Sequence, residues 1–410
     1  MDAQAKVVVT GMEKRFRLYI DGNGYGFGNI GDDAILQGII RILTEVPAVS
    51  EITVGVKDGI RLPFLERGLN VIRSFDLPVA QQMIDSSDCF VIGGGTMIGD
   101  ELGIGFPLVH NVERILYAER RHKKIVLFGI GANKPMSKPG KELAKIMVHH
   151  SGLITVRDQE SLSVCKTFSR SPQDIFQTSD PAFLLHPCQT ERSKMIKELI
   201  RSKGKTIGIN VVNEVWANKK GYKKAIASAC SELSRKHNIF PVFISNEIRP
   251  GAFFDYEANK ETASFLDCES ILLEPAYYSP EEMIDIISAF DLFLSMRMHG
   301  LIFASIANVP FVTVSRIDKV DNFMHQFNFK PSGTTETITA GTLLEDIQSL
   351  MSDKERITGI QKKIVNDKRN ECWRNKELFH QYLNRQEKQP SLKNTFDLMI
   401  DFLKLKISTR

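Results

Sequence analysis

Short apolar runs alternate with amphipathic segments along most of the chain. Each run is a near-continuous series of Val, Ile, Leu and Phe. Strands of a parallel sheet are buried on both faces, so they are apolar without alternation. The pattern therefore predicts parallel strands separated by helices, with helical spacing clearest at residues 106–121 and 139–149. The first five predicted strands are residues 16–22, 51–56, 88–95, 123–131 and 152–158.

A polar and basic stretch at residues 189–205 interrupts this rhythm, which then restarts. The chain has 410 residues, a length typical of two or three domains. We therefore predict two α/β domains, residues 1–188 and 206–335, and a C-terminal helical extension, residues 336–410. The strands predicted for the second domain are residues 206–212, 240–245, 270–275, 291–296 and 310–315.

The C-terminal tail has an apolar helical face with basic residues close to it. Such a helix packs on its own protein or on a partner chain, or it lies on an anionic lipid surface. The sequence leaves both interpretations open. The face consists of Leu392, Phe396, Met399, Leu403 and Ile407, and the basic residues are Lys404, Lys406 and Arg410.

Composition narrows the class of protein. The chain carries 53 basic and 49 acidic side chains, and a net charge of +4 argues against a dedicated nucleic-acid binder. Its six cysteines are scattered without a CxxC pair, which suggests neither a disulfide framework nor a zinc knuckle. No segment has the length of a signal peptide core or a membrane span. We expect a cytoplasmic protein with reduced thiols.

A glycine-rich loop at residues 24–35, GYGFGNIGDDAI, lies between the first predicted strand and the first helix. Such a loop lets the backbone approach a ligand, and the helix that follows presents free N–H groups. No GK[ST] follows, and Asp32 and Asp33 at the helix start would repel a pyrophosphate. We expect at least one of them to cap the helix; the alternatives are a sugar-hydroxyl ligand and a base.

Several predicted strands end in glycine. The strand at residues 88–95 ends in three glycines, which include Gly94 and Gly95, and the next strand ends in FGIG. Because ligands of open α/β sheets bind at the carboxyl ends of the strands, these turns indicate the rim of a ligand crevice. A tight turn with close packing is the alternative.

Basic side chains follow three predicted strands. Arg157 ends the strand at residues 152–158, where it could bind an anion in forked geometry or pair locally with Asp158 or Glu160. In the second domain, four potential cations follow two adjacent strands, which predicts an anionic ligand. These four are Arg297, His299, Arg316 and Lys319.

These motifs together resemble a known family. GYGFGNIGDDAIL, VIGGG, FGIG, ITVRD, SDPAFLL, MRMHGLIFA and SRIDKV occur in the order found in polysaccharide pyruvyl transferases. The resemblance implies two Rossmann-like domains arranged as in glycosyltransferase-B proteins, with the active site between them. It also implies transfer of a pyruvyl group from phosphoenolpyruvate to sugar hydroxyls, which forms a ketal.

The resemblance assigns roles to individual residues. Arg157, His299 and Lys319 match the family positions that engage phosphoenolpyruvate, and Arg297 belongs to the same motif as His299. We expect His299 to be the general acid and Asp32 to be the carboxylate that accepts a hydroxyl proton. The remaining substrate-binding candidates are Arg316, Gly28, Asn29, Gly31, Gly94 and Gly95.

The expected acceptor is a nucleotide-linked or lipid-linked precursor of a cell-wall glycan or exopolysaccharide. No metal or other cofactor is expected, since phosphoenolpyruvate is itself the donor substrate. Peripheral contact with the inner face of a membrane, through the C-terminal tail, is one of the interpretations left open. The alternatives are a glycosyltransferase-B enzyme that uses a nucleotide sugar and a non-catalytic member that binds glycan. A dinucleotide oxidoreductase is disfavoured, since no clean GxGxxG motif with a following acidic residue is present.

Overall fold

The structure is a computed structural model of the chain. It describes residues 14–57, 62, 65, 69–73, 76–101, 103–135, 137–169, 172–213, 221–249, 254–316 and 318–385.

The N-terminal lobe is built on one mainly parallel sheet. Its strand order is β3-β2-β1-β4-β6-β7-β8, and β5 pairs with β6 at the end of that strand. Buried Val, Ile, Leu and Phe fill the central strands, as expected for a sheet covered on both faces. The strands are β1 (Phe16–Asp21), β2 (Val49–Val56), β3 (Asn70–Arg73), β4 (Cys89–Gly93), β5 (Thr96–Ile98), β6 (Lys124–Ala132), β7 (Leu153–Val156) and β8 (Ile175–Gln177).

The C-terminal lobe repeats this design on a smaller scale. Its five-stranded sheet has the order β11-β10-β9-β12-β13, and every pair is parallel. A separate two-stranded sheet, β14-β15, follows it. The strands are β9 (Lys205–Asn210), β10 (Ile239–Phe243), β11 (Ile271–Leu272), β12 (Leu292–Ser295), β13 (Phe311–Val312), β14 (Val314–Ser315) and β15 (Gly333–Thr334).

Helices connect the strands and cover both sheets. They are α1 (Ile30–Thr44), α2 (Leu77–Ser86), α3 (His110–Arg120), α4 (Lys138–His149), α5 (Gln159–Phe168), α6 (Glu191–Arg201), α7 (Gly221–His237), α8 (Asp255–Ala263), α9 (Pro280–Ile287), α10 (Met298–Ile306), α11 (Asp318–Gln326), α12 (Ala340–Ser352) and α13 (Lys354–Asn384). The predicted pair of Rossmann-like α/β domains with a C-terminal helical extension is confirmed. The basic stretch between them, residues 189–205, contains α6.

Strand order reverses at one point in each sheet. In the N-terminal lobe the point lies between β1 and β4, and in the C-terminal lobe it lies between β9 and β12. A crevice opens beyond the carboxyl ends of the strands at such a switch point, because the connections leave toward opposite faces. The glycine loop follows β1, the three glycines end β4, and Arg297 and His299 follow β12.

Helix α1 joins the two lobes. It is apolar on nearly every side, and its buried residues belong to a hydrophobic cluster that also contains α10 and the end of α13. Polar bonds to α9 of the other lobe support this packing. Arg41 Nη2 lies 2.5 Å from Glu281 Oε1, and Gln37 Nε2 donates to Glu281 Oε2 over 2.9 Å. Helix α1 is therefore held at the boundary between the lobes.

Helix α13 spans both lobes. Near its start, Gln361 Nε2 donates to the carbonyl of Val309 in the C-terminal lobe. Near its end, the ring of Phe379 packs edge-on against Phe128 of β6 at 5.9 Å between centroids. Helix α13 therefore connects the C-terminal lobe to the sheet of the N-terminal lobe.

Two sequence predictions of local structure are wrong in detail. The helix predicted at residues 106–121 starts as an α-helix only at His110, and a π turn precedes it. Phe106 is extended because the following proline disfavours the α region at that position. The strand predicted at residues 310–315 is divided into β13 and β14, which pair in different sheets.

The predicted amphipathic tail lies outside the described residues, so its packing and its membrane contact stay predictions. Within the part of the chain that the structure describes, no helix has the length and apolar character needed to cross a membrane.

Candidate active site

A small pocket of about 60 Å³ lies between the lobes, where the two switch points face each other. We refer to it as the interlobe pocket. Eight of the eleven residues predicted from sequence line it: Asn29, Asp32, Gly95, Arg157, Arg297, His299, Arg316 and Lys319. The other lining residues are Thr96, Asn246, Met296 and Met298. Gly28, Gly31 and Gly94 do not line it.

The glycine loop sets the first turn of α1 against the other lobe. Asn29 caps the helix, and its Oδ1 accepts a hydrogen bond from Gly31 N at 3.0 Å. The prediction that Asp32 or Asp33 is the cap is therefore wrong. Asp33 instead accepts a hydrogen bond from Gly26 N at 2.8 Å and fixes the loop. Burial raises the pKa of Asp33 to about 7.

Asp32 lies on the same helical turn but faces the pocket. It is partly exposed and accepts no hydrogen bond from the residues the structure describes. The two adjacent carboxylates therefore differ in environment. One is buried and holds the loop, and the other is available to a ligand.

Backbone hydrogen bonds join the two walls of the pocket. Ile248 N donates to the carbonyl of Gly28 over 2.9 Å, and Ile30 N donates to the carbonyl of Asn246 over 3.1 Å. Asn29 and Glu247 form an antiparallel bridge between these bonds. Gly28 has a φ of +94°, a conformation that glycine adopts without strain. Gly28 thus shapes the wall without lining the pocket.

His299 lies on the first turn of α10, directly opposite the first turn of α1. A Cβ at Gly31 would overlap Nδ1 of His299, so the glycine makes room for the imidazole. On the other side of the ring, Nε2 lies 3.6 Å from Oδ2 of Asp180. The imidazole is thus held between a glycine and a carboxylate, with one face toward the pocket.

Asp180 is a site residue that the sequence analysis missed. It lies in the SDPAFLL segment, is buried, and accepts a hydrogen bond from Arg157 Nη1 at 3.3 Å. Burial opposes ionisation, but His299 and Arg157 together hold the pKa of Asp180 below its usual value. Asp180 is therefore ionised and places a carboxylate beside the His299 ring. The only sequence signal for it was the SDPAFLL motif, which identified the family and assigned no role.

Arg157 directly follows β7 and is almost completely buried. Its Nη2 donates to Thr96 Oγ1 over 3.4 Å, and its Nε lies 3.5 Å from Asp158 Oδ2. Its guanidinium packs against Gly131, where a Cβ would come within 2.7 Å of Nη2. Arg157 therefore pairs locally with Asp158 and also lines the pocket, and its binding of an anion stays a prediction.

Arg297 precedes α10 and is strongly paired within its own lobe. Nε and Nη2 donate to Asp255 Oδ1 over 2.9 and 2.7 Å, and Nη2 also forms an ion pair with Glu247. Asp255 and Glu247 are both buried. Nε and Nη2 of Arg297 are therefore already occupied by carboxylates, and the expected role of Arg297 in substrate binding stays a prediction.

Lys319 lies on the first turn of α11 and makes no ion pair with any residue the structure describes. Burial, together with the positive charges of Arg157, Arg316 and Arg297, lowers its pKa to about 7. Asp32 acts in the opposite direction but does not cancel this effect. Arg316 follows β14 and lines the same wall. Lys319 therefore brings to the pocket a charge that no ion pair with a described residue balances.

The glycines after β4 bring backbone to the pocket edge. Gly95 has a φ of +75° and lines the pocket, and its carbonyl accepts a hydrogen bond from Gly131 N at 2.7 Å. Gly94 packs beneath it against Ile35 of α1. Of the glycines that end these two strands, Gly95 lines the pocket, whereas Gly94 lies in the packing against α1.

Asn246 is a second residue that the sequence analysis missed. It follows β10 in an irregular loop that has no periodic pattern to mark it. The side chain is buried, lines the pocket, and has no hydrogen-bond partner for Nδ2 or Oδ1 among the described residues.

Two other features bear on the chemistry. In the described ranges, no group of three or more His, Cys, Asp or Glu side chains is placed to hold a metal ion. A larger groove of about 1170 Å³ lies at the amino ends of the N-terminal lobe strands, and none of the predicted site residues lines it.

The interlobe pocket, by contrast, combines four cationic side chains, an imidazole backed by a carboxylate, and one accessible carboxylate. This set can bind a compact anion, donate a proton and accept one.

Solved structures with similar folds include two proteins solved with UDP or with UDP and glucose, and a putative UDP-N-acetylglucosamine 2-epimerase. MnaA of S. aureus, solved with UDP, has a TM-score of 0.62 at 12% identity and covers 93% of this chain and 99% of its own. A putative UDP-N-acetylglucosamine 2-epimerase from Listeria monocytogenes has a TM-score of 0.64 at 11% identity, with 92% and 98% covered. HepE of Anabaena, solved with UDP and glucose, has a TM-score of 0.58 at 12% identity, with 90% and 99% covered. The predicted glycosyltransferase-B-like fold is confirmed.

Sequence comparison identifies the family. Among curated proteins no significant match was found. The family model described as polysaccharide pyruvyl transferase matches residues 29–318, which is more than half of the chain and contains every predicted site residue except Gly28 and Lys319. The chain belongs to the polysaccharide pyruvyl transferase family.

Proposed function

We propose that the protein transfers a pyruvyl group from phosphoenolpyruvate to two hydroxyls of a sugar in a glycan precursor, forming a pyruvate ketal. Membership of the family implies a pyruvyl transferase that acts on polysaccharide. The observation that best supports phosphoenolpyruvate as the donor is Lys319, a cation in the interlobe pocket with no ion-pair partner among the described residues. Phosphoenolpyruvate carries about three negative charges near neutral pH and needs such a site.

Three side chains bind the donor in this proposal. Arg157 and Arg316 offer guanidinium N–H donors to the carboxylate and phosphate, and Lys319 adds a compact charge. Arg297 is a positioning residue instead, since it holds the start of α10 through Asp255 and Glu247. Its pairing keeps the turn that carries His299 in place.

His299 donates the proton that converts the enol carbon C3 into a methyl group. A histidine is suited to proton donation near neutral pH because its ordinary pKa is about 6.5. Asp180 Oδ2 lies 3.6 Å from Nε2 of His299, and Gly31 leaves the space that the ring occupies. His299 is therefore held in one orientation before phosphoenolpyruvate binds.

Asp32 accepts the proton of the hydroxyl that attacks C2. Protonation of C3 leaves C2 electron-poor, so the first C2–O bond forms from that hydroxyl. The second hydroxyl then attacks as the C2–O bond to phosphate breaks. Of the two hydroxyl protons, one replaces the proton that His299 gave to C3, and the other leaves with inorganic phosphate. The step balances without an oxidant or reductant.

The acceptor we propose is a nucleotide-linked or lipid-linked sugar that serves a cell-wall glycan or exopolysaccharide. The fold relatives provide the reason to start with nucleotide sugars, since MnaA and HepE were solved with UDP or UDP and glucose.

The test is a product assay. The purified protein is incubated with phosphoenolpyruvate and each of UDP-glucose, UDP-N-acetylglucosamine and a set of methyl pyranosides. We expect phosphate release that depends on one of the sugars, and a new methyl resonance of a pyruvate ketal by NMR. Release of UDP without phosphate would indicate the nucleotide-sugar transferase. Binding of sugar with neither product would indicate the non-catalytic member.

A further inference from the structure

Asn246 has a buried side-chain amide with no protein partner. The residue is 2% exposed, and neither Nδ2 nor Oδ1 has a hydrogen-bond partner among the described residues. Buried amides in native proteins are nearly always hydrogen-bonded, so an exception needs an explanation. The side chain lines the interlobe pocket, which makes a bound ligand the natural partner.

Other buried asparagines of the same lobe are satisfied. Oδ1 of Asn259 accepts from Val211 N, and its Nδ2 donates to the carbonyl of Ile244. Nδ2 of Asn210 donates to the same carbonyl and to Asp255, and its Oδ1 accepts from Ser295 Oγ. The lobe therefore pairs its structural asparagines completely, and Asn246 differs because it faces the pocket.

The backbone of Asn246 is fixed on both sides. Its N–H donates to Asp255 Oδ2 over 2.9 Å, and its carbonyl accepts from Ile30 N at 3.1 Å. The amide therefore cannot relieve its missing hydrogen bonds by a backbone movement unless these bonds also break. A group held this firmly is preorganised for a ligand.

The position of Asn246 relates it to both proton-transfer residues. Ile30, which it contacts, begins the helical turn that carries Asp32. On the other side, a Cβ at Gly300 would lie 2.8 Å from Nδ2 of Asn246, and Gly300 directly follows His299. Asn246 thus lies between the turn that carries the proposed base and the turn that carries the proposed acid.

The chemistry of the amide selects the kind of ligand group. An asparagine is neutral and offers both a donor and an acceptor. The carboxylate and phosphate of phosphoenolpyruvate only accept hydrogen bonds, and in the proposed function they bind to cationic side chains. A sugar hydroxyl both donates and accepts, so it matches the amide on each count.

We infer that Asn246 binds and orients the acceptor hydroxyl that attacks C2, and is therefore a specificity-determining residue for the sugar. This inference rests on the proposed function. The hydroxyl accepts from Nδ2 and points its own proton toward Asp32, while Oδ1 accepts from a neighbouring hydroxyl of the same sugar.

The first arm of the test compares thermal stability of two matched variants. Asn246→Leu and Asn259→Leu replace amides of similar size and burial with the same apolar group. We expect the melting temperature of the Asn246→Leu protein to equal or exceed that of the wild type, since no protein hydrogen bond is lost. We expect the Asn259→Leu protein to melt at a clearly lower temperature. An equal loss in both would overturn the inference, because Asn246 would then be structural.

The second arm is kinetic and uses the sugar that supports phosphate release with the wild type. For Asn246→Leu and Asn246→Ala we expect the KM for that sugar to rise about tenfold or more, while the Kd for phosphoenolpyruvate by calorimetry changes less than twofold. An unchanged KM for the sugar would overturn the inference, since the amide is then satisfied by water. A matching loss of phosphoenolpyruvate binding would assign Asn246 to the donor.

The two proposals fail in different ways. If the wild type neither binds phosphoenolpyruvate nor releases phosphate with any sugar, the proposed function fails, and the role of Asn246 fails with it. If the wild type is active and only the Asn246 result differs from expectation, the function stands and this inference alone is wrong.

Discussion

Two turns of the C-terminal lobe bring a cation to the same pocket, and they use it differently. The turn after β12 carries Arg297, whose guanidinium is occupied by Asp255 and Glu247. The turn after β14 carries Lys319, which has no ion pair within the described part of the chain. Both side chains line the pocket. A cationic side chain that lines the pocket is therefore not always available to bind a ligand.

The pKa of Lys319 reflects this difference. Burial and three neighbouring guanidinium groups lower this pKa to about 7, so the charged form of Lys319 is disfavoured in the free protein. An anion that binds there stabilises the charged form of Lys319, whereas Arg297 is already paired with buried carboxylates. We therefore expect changes at the two turns to affect different measurements.

The largest effect on kcat is expected at His299, which follows β12 in the same turn as Arg297. A variant at His299 tests the chemistry of this turn separately from its structural role. In the His299→Gln protein we expect kcat to fall by about 10²-fold or more, because the proton donor to C3 is lost. Steady-state phosphate release measures this change. The melting temperature should stay close to that of the wild type, since the described contacts of the imidazole include no hydrogen bond within 3.5 Å.

His325→Gln is the matched control, because His325 lies exposed on α11. We expect wild-type kcat for it. Near-wild-type turnover of His299→Gln would remove His299 from the role of general acid.

Arg297 gives the next effect, and it concerns stability. Replacement by Met leaves the buried carboxylate of Asp255 without its cation, whereas Glu247 keeps its ion pair with Arg249. Breaking a buried pair such as Arg297–Asp255 destabilises by roughly 3–5 kcal/mol. Urea unfolding checks this loss. Arg356→Met is the control, since Arg356 is exposed and its ion pair with Asp353 lies in solvent. If Arg297→Met unfolds like the wild type but loses phosphoenolpyruvate affinity, the assignment of Arg297 to structure is wrong.

Much of the site could be predicted because strand ends are visible in the sequence. Apolar runs that stop at glycine or arginine locate the carboxyl edge of each sheet, and that edge is where a crevice forms. Arg157, His299 and Lys319 were found in this way and from the motif order. The pairing of Arg297 with Asp255 could not be predicted, because the partner is 42 residues away and reaches it only through the fold.

Other features depend on three-dimensional contacts that leave no pattern. Asp180 acts through its distance to His299, and Asn246 is defined by the hydrogen bonds it lacks. The run at residues 310–315 looks like one strand because every residue suits a strand. A change of pairing partner after Val312 alters neither hydrophobicity nor propensity, so periodicity does not reveal it.

The pH dependence of phosphoenolpyruvate binding tests the central claim most directly, namely that the interlobe pocket binds this anion through Lys319. Binding of the anion raises the pKa of Lys319 above about 7, so binding takes up a proton when the pH exceeds that value. The wild-type Kd should therefore rise between pH 7 and pH 9, by up to about tenfold per pH unit. Calorimetric titration of the wild type, Lys319→Arg and Lys319→Met measures it.

The Lys319→Arg protein keeps its charge throughout this range, so its Kd should stay nearly constant, and any slope that remains belongs to other groups such as Asp33. The Lys319→Met protein should bind about 10- to 100-fold more weakly at pH 7, the range expected for the loss of one charged hydrogen bond. Equal affinities and equal pH profiles for all three proteins, or binding of UDP-sugars in place of phosphoenolpyruvate, would contradict the account.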